Sequence, residues 1–274
     1  MVPVRQLNYL LLICFGGALF LSCSQHAPAP QNEVAVHVIL GQSNSIGRAY
    51  ASQLPRELRA PLDSCYIYNV SRKRFEVIEA GVNTQSQAGQ FGPVVKAAQL
   101  LRDHQQREVY FVVAGYGNTQ LYSSGSEPDW NADSHELTQE VLRVLEQSQQ
   151  ALKAEGKTAV FKSVTWWQGE NDAKSSEKAA AYGQNEAAFF TFLDQTPYLH
   201  SAKRVVYKLF PEPSVMPYAD KVNAAKAKRA SSDAKTLSLI DTRKYELNPQ
   251  DKLHATAKGQ VQAGTDLFKA IKNL

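Results

Sequence analysis

Val34-Ala35-Val36-His37-Val38-Ile39-Leu40-Gly41-Gln42-Ser43-Asn44-Ser45-Ile46-Gly47 is the stretch on which the reading of this chain turns. Its first half is apolar at nearly every position, where a strand with one wet face would alternate, so Val34 to Leu40 reads as a strand buried on both faces. Its second half is almost entirely small or polar, so the strand hands over abruptly to a turn carrying hydroxyls and amides. Strands covered on both faces belong to parallel sheets, and such sheets keep their chemistry just beyond the strand carboxyl ends.

Further apolar runs follow at Val109 to Ala114, Val160 to Trp166, Val205 to Phe210 and Leu237 to Ile240. Helical periodicity fills the intervals. Pro93, at a first helical position, opens a helix reaching about His104. Asp133, with Glu136 three residues later, is placed to cap a second, which carries Leu137, Val141, Leu145 and Leu152 on one face and stops at Gly156. Helices over Ala179 to Leu193, Ala219 to Ser231 and Thr256 to Lys272 complete the pattern. Strand and helix in alternation imply right-handed crossovers, hence an α/β fold: a three-layer α/β/α sandwich around a mainly parallel sheet. Tyr66-Ile67-Tyr68 and Phe75-Glu76-Val77-Ile78 flank a polar, basic turn and predict a small β-hairpin insertion over Cys65 to Ala80. There is no internal repeat and no second domain boundary.

The 274 residues are 43% apolar and 20% charged, which excludes a disordered chain. A formal charge of +4 is too small at this size to argue for a nucleic-acid or anionic-membrane partner. Cys14 and Cys23 lie in or beside an N-terminal apolar run, leaving Cys65 alone in the domain with no internal disulfide available. That run, Leu7 to Leu21 behind Arg5, is short for a transmembrane helix and suits an export signal. Phe20-Leu21-Ser22-Cys23 then resembles a bacterial lipobox. The expectation is a lipoprotein signal peptide over residues 1–22, lipidation at Cys23, a flexible tether over 23–33 and one domain over 34–274. The chain would then be an exported bacterial lipoprotein, anchored at a periplasmic or cell-surface face.

Four segments beyond strand ends carry candidate chemistry. Ser43 can act as a nucleophile whose own N–H receives an oxyanion, although Ser45 stands where the second glycine of a G-x-S-x-G elbow belongs. Gly115-Tyr116-Gly117-Asn118-Thr119-Gln120 nearly matches a dinucleotide fingerprint. Gln120 replaces its third glycine and no ribose-binding acid follows at the right distance, so the cofactor reading fails. These glycines can instead expose a backbone N–H to a substrate oxygen. Trp166-Trp167-Gln168-Gly169-Glu170-Asn171-Asp172 supplies amides able to donate to developing negative charge. Asp251-Lys252-Leu253-His254 sets a carboxylate beside an imidazole, fixing its tautomer while the other nitrogen serves as base. Each alone also fits an ordinary turn or helix cap; four in one open sheet point to a single site. No His/Cys set has zinc spacing.

With these blocks in this order the sequence resembles the SGNH hydrolase superfamily. Within it, the resemblance is to the sialate O-acetylesterase-like and acetylxylan-esterase-like carbohydrate esterases, which carry G-Q-S-N, W-x-Q-G-E-x-D and a late D-x-x-H. It spans Val34 to the C-terminal helix and implies a flavodoxin-like sandwich that needs no metal or organic cofactor. By the same resemblance Ser43 is the nucleophile, His254 the general base and then acid, and Asp251 the orienting carboxylate. Ser43 N–H, Gly117 N–H and the Gln168 side chain would form the oxyanion hole, with Asn171 as a rival donor because Gly169-Glu170-Asn171-Asp172 also fits the superfamily's G-x-N-D. Gln42, Asn44, Glu170 and Trp167 are expected to contact substrate. The expected partner is an acetylated carbohydrate, whether sialic acid, xylan or a related glycan, with Trp166, Trp167, Tyr116 and Tyr122 offering aromatic faces to sugar rings. Ser45, Asn118 and Val94 depart from the group's usual residues, which leaves the serine chemistry intact but does not let the substrate of a better-known member be carried over. Two other readings compete: a surface lipoprotein of this fold that binds carbohydrate without turnover, and a lipid esterase or thioesterase.

Overall fold

Burial without alternation marks the strands that the chain places centrally. The computed structural model describes residues 1, 32–123, 125 and 128–274. Residues 2–31, which hold all but the first residue of the expected signal peptide, Cys23 and most of the expected tether, lie outside the described residues. The compact unit Asn32–Leu274 begins with β1 (Glu33–Gly41), α1 (Ser43–Ile46), β2 (Ala49–Tyr50), α2 (Arg56–Arg59), β3 (Leu62–Asn69), β4 (Arg74–Ile78) and β5 (Gln90–Phe91). It continues through α3 (Val94–Gln105), β6 (Val109–Gly115), α4 (Glu136–Ala154), β7 (Thr158–Trp167), α5 (Ser176–Gln195), β8 (Lys203–Tyr207), α6 (Ala219–Ser232), β9 (Thr236–Ile240) and α7 (Ala257–Ile271).

Seven strands form one sheet in the order β4-β3-β6-β1-β7-β8-β9. Every neighbouring pair is parallel except the β3–β4 hairpin. The run β6-β1-β7-β8-β9 has the 2-1-3-4-5 order of flavodoxin-like sheets. The expected hairpin lies within the crossover from β1 to β6, and its first strand extends the sheet by pairing with β6. α3 packs against α7, and α5 against α6, covering the sheet on both sides. No helix among the described residues is long and apolar enough to cross a membrane.

β7 lies beside β1 at the middle of the sheet and is buried over its last five residues, which settles where the tryptophans go. Trp166 stacks on Phe189 with ring centroids 4.4 Å apart, and Trp167 lies nearly parallel to Tyr207 at 4.4 Å. Burying one such side chain stabilises the fold by about 3 kcal/mol. His37, the one polar residue inside β1, is hydrogen-bonded to Ser163 Oγ at 2.8 Å, and burial drives its pKa down to about 3. It is therefore a neutral core residue. The cap expected at Asp133 does not form. His135, at φ 60°, precedes α4, and the Glu136 carboxylate instead accepts the Asp129 N–H at 3.0 Å.

Candidate active site

Three strand ends meet around Gly41, which lies opposite Gly115 of β6 and Trp167 of β7. Tyr116 N–H donates to Gly41 O at 2.9 Å and Gln42 N–H to Trp167 O at 3.0 Å. The chain leaves β1 toward one sheet edge and β7 toward the other, so the crevice between them is the topological switch point. Gly41 has φ +133°, and a Cβ there would sit 2.0 Å from Trp167 O, so no other residue fits. The chain then folds into the single turn α1, whose first residue is Ser43. At its end Gly47 N–H donates to Ser43 O at 2.8 Å; its φ is +88°, and a Cβ would lie 1.9 Å from Phe91 O. Glycine thus locks the turn at both ends.

His254, 211 residues later, returns to this turn, with Nε2 2.9 Å from Ser43 Oγ. Its Nδ1 lies 2.8 Å from Asp251 Oδ2, while Asp251 Oδ1 accepts the Leu253 and His254 N–H groups at 2.9 and 3.0 Å. Partial burial raises the Asp251 pKa, but those two N–H bonds and the imidazole outweigh it and hold the carboxyl below its ordinary value. Asp251 is therefore an anion fixed behind the ring. The hydroxyl, imidazole and carboxylate form one continuous hydrogen-bonded line, and a neutral ring carrying its proton on Nδ1 would present Nε2 to Ser43 as an acceptor.

Four residues expected to contact substrate do something else. Asn44 is wholly buried: its Nδ2 donates to Glu170 Oε1 at 2.9 Å and to Leu253 O at 3.0 Å, and its Oδ1 accepts from Ala255 N–H at 3.1 Å. It therefore clamps the backbone on both sides of His254. Glu170 is buried behind Asn44, and burial raises its pKa despite that bond. Gln42 is buried too, its Oε1 accepting from Gly169 N–H at 3.2 Å. Trp167 is fully enclosed against Tyr207 and offers no face to a sugar. The corrections at Asn44, Gln42 and Glu170 share one cause: polar groups at the ends of central strands have backbone and side-chain partners to satisfy before any ligand arrives, whereas Trp167 is withdrawn by ring packing.

The two rival amides differ in their commitments. Gln168 Nε2 donates to Asp172 Oδ2 at 2.7 Å, and Asp172 in turn accepts N–H groups from Leu121 and Tyr122. That carboxylate ties the end of β7 to the loop that follows β6. Asn171 donates to Asn118 Oδ1 at 3.1 Å and accepts from Lys174 Nζ at 2.9 Å. Gly117 is exposed on the same loop, with the Arg48 guanidinium against it: a Cβ on Gly117 would lie 2.6 Å from Arg48 Nη2.

A cavity of about 590 Å³ opens here, with Asp251 and His254 on one wall and Arg48, Tyr50 and Gln90 on another. A larger hollow of about 850 Å³ runs along β9 and α7, but Ser43, Gly117, Gln168, Asn171, Asp251 and His254 do not line it. Among the described residues no cluster of His, Cys, Asp or Glu is placed to hold a metal. The sequence reading did not single out Arg48 or the β2–β5 pair that carries Tyr50 and Gln90. A lone arginine after a glycine has no periodicity to mark it, and a two-residue strand pairing exists only through tertiary contact.

Residues 33–273 match the family described as "Carbohydrate esterase, sialic acid-specific acetylesterase". No curated protein matches the chain significantly. A protein from Arabidopsis thaliana superposes with a TM-score of 0.70 at 23% identity, covering 89% of this chain and 99% of that one. NanS gives 0.60 at 14% identity, covering 89% and 98%. A carbohydrate acetylesterase from Xanthomonas citri gives 0.57 at 16% identity, covering 86% of this chain and 55% of its own. The structural likenesses establish the fold, and the family match over nearly the whole described domain establishes kinship: this chain belongs to the sialic acid-specific acetylesterase family of carbohydrate esterases.

Proposed function

We propose that this esterase removes O-acetyl groups from a carbohydrate through an acetyl-enzyme formed on Ser43. The observation that carries the reading is the unbroken line from Ser43 Oγ through His254 to Asp251. Nε2 of His254 takes the proton from Oγ as Oγ attacks the acetyl carbonyl carbon; Asp251 steadies the resulting imidazolium. Collapse of the tetrahedral intermediate expels the sugar oxygen, which leaves as a hydroxyl with the proton from Nε2. A water then attacks the acetyl-enzyme, giving its proton to His254, and Ser43 leaves protonated as acetate is released.

Neither the Ser43 nor the Gly117 N–H has a partner among the described residues, which supports both as oxyanion donors. Gln168 is the third donor in this proposal. It directly follows Trp167, whose carbonyl holds Gln42 beside Ser43, and Asp172 orients its amide while engaging one of its two N–H groups. Asn171 is engaged by Asn118 and Lys174 instead. Acetate release from an O-acetylated sugar is compared between the full-length chain and Ser43→Ala. Turnover should be lost in the variant; equal rates would overturn the assignment.

The Phe20-Leu21-Ser22-Cys23 motif supports a further part of the proposal, that a lipid on Cys23 holds the enzyme at a membrane. Metabolic labelling with a clickable fatty acid should mark the wild type and not Cys23→Ser. Equal labelling of the two would refute the anchor.

A further inference from the structure

We propose that Tyr182 is a positioning residue for the reaction: its buried hydroxyl fixes the peptide that follows Gln168 and so keeps the Gln168 amide aimed at the oxyanion. The inference rests on the esterase reading above and on Gln168 as its third donor.

α5 buries one face, made of Ala179, Tyr182, Glu186, Phe189, Phe190 and Leu193. Phe189 of that face stacks on Trp166. Two turns earlier the face becomes polar, at Tyr182, with Glu186 one turn after it, and this happens beside the point where β7 ends. Both side chains are fully buried. A phenylalanine would give the same ring packing, so the hydroxyl is explained by what it bonds. Its oxygen lies 3.2 Å from Gln168 O, 3.2 Å from Glu186 Oε1 and 3.3 Å from Trp166 Nε1. Trp166 donates to it. Burial, and then the carboxylate of Glu186, push the phenol's pKa well up, so it keeps its proton to donate. Lys226 of α6, also fully buried, stands 3.9 Å from Glu186 Oε1 and 5.4 Å from the centre of the Tyr182 ring. Glu186 thus has a cation beside it and does not depend on the phenol alone.

The peptide joining Gln168 to Gly169 is thereby held on both sides. Its carbonyl accepts from Tyr182, and its N–H donates to Gln42 Oε1 at 3.2 Å, next to Ser43. Gly169 has φ +125°, and a Cβ there would lie 3.1 Å from Tyr182 Cε2, so the ring also backs the bend. Asp172 holds the far end of the Gln168 side chain, but a side chain is aimed only when the backbone it grows from is fixed as well. Tyr182 does this from behind, since no residue of α5 lines the cavity at His254.

The test measures kcat and KM for acetate release from an O-acetylated sugar in wild type, Tyr182→Phe, Gln168→Ala and the double variant. Rates are expressed per active serine, counted with a fluorophosphonate, so that unfolded molecules do not enter. Tyr182→Phe should lower kcat by about 10-fold and leave KM within about 2-fold. In the Gln168→Ala background the same change should cost less than about 2-fold, because the group it aims is gone. An unchanged kcat in Tyr182→Phe, or a loss that persists in full without Gln168, would overturn the proposal. Replacing Tyr182 by 4-aminophenylalanine puts a weaker donor at the same place and should lower kcat by about 2- to 5-fold, again only while Gln168 is present. That replacement decides the matter where Tyr182→Phe does not fold: no loss, or the same loss without Gln168, overturns the proposal there too. Absence of acetate release by the wild type from the sugar and from 4-nitrophenyl acetate alike would instead overturn the esterase reading. An undiminished kcat in Gln168→Ala would overturn the role of Gln168, and the proposal falls with either. A large loss in Gln168→Ala with an additive loss from Tyr182→Phe overturns this proposal alone.

Discussion

The two halves of the site are built differently. The turn from Gly41 to Gly47 is buried at nearly every residue, stitched to β6 and β7 by backbone hydrogen bonds and fixed at both ends by glycines that no other residue can replace. The 247–255 loop carrying Asp251 and His254 is largely solvent-facing and is held by the isolated Leu247–Ala255 bridge, by Asn248 N–H to His254 O at 2.8 Å, and by Asn44. The nucleophile is thus rigid by construction, whereas the base keeps its register through a few contacts to the rigid half. Precision in this site depends on the link between the halves as much as on the reacting groups.

Removing the rigid half's reacting atom should have the largest effect: Ser43→Ala is expected to lower acetate release by about 10⁴-fold or more, measured as kcat on an O-acetylated sugar. On the loop side, Asp251→Asn leaves the shape but permits the wrong ring tautomer, so a loss of about 10⁴-fold at neutral pH is the upper expectation. Gln168→Ala should reduce kcat by about 10²- to 10³-fold while Asn171→Ala costs far less; the reverse order would hand the oxyanion role to Asn171. The contrast between the halves is sharpened most by Asn44→Ala, which removes no reacting atom. It should lower kcat by about 10- to 100-fold and, by leaving Glu170 without its donor, destabilise the fold by about 1–3 kcal/mol. An unchanged kcat in that variant would mean that the loop holds His254 without help.

In the strand beneath the site, pH should change stability rather than turnover. His37 titrates near 6.5 when unfolded and at about 3 when folded, so the unfolded chain binds its proton first. Stability from this residue is complete above pH 6.5 and is lost as the pH falls toward 3, by at most about 1.4 kcal/mol per pH unit. The urea midpoint of the wild type should therefore drop between pH 6.5 and about 4.5 more steeply than that of His37→Gln.

The sheet was readable in the sequence because strands covered on both faces leave uninterrupted apolar runs, and β1, β6 and β7 are strands of that kind. The hairpin was readable from its turn. The α4 cap was misplaced because capping depends on where a side chain finds its donor, and Glu136 found Asp129 N–H across a loop. At the site, the order of the serine, amide and Asp-His blocks along the chain was informative because a parallel sheet gathers strand ends. The assignment of individual polar residues was not. Asn44, Gln42 and Glu170 look like ligand-binding groups when written as a string, and only the fold shows that each is already engaged. Trp167 looked like a sugar platform, yet its neighbour across the sheet is Tyr207, a residue forty positions away. Arg48 shows the converse: a residue that nothing marks in the sequence lines the cavity beside His254 once Gly47 turns the chain.

The central claim is that Ser43 is made nucleophilic by a base from the opposite end of the chain. A fluorophosphonate probe, which reacts with activated serines, tests it directly when the full-length protein is labelled and the modified peptide is identified by mass spectrometry. The account predicts a single adduct on Ser43 whose rate of formation falls by about 10²-fold or more in His254→Ala. Modification at a different residue, or labelling of Ser43 at an undiminished rate without His254, would contradict it.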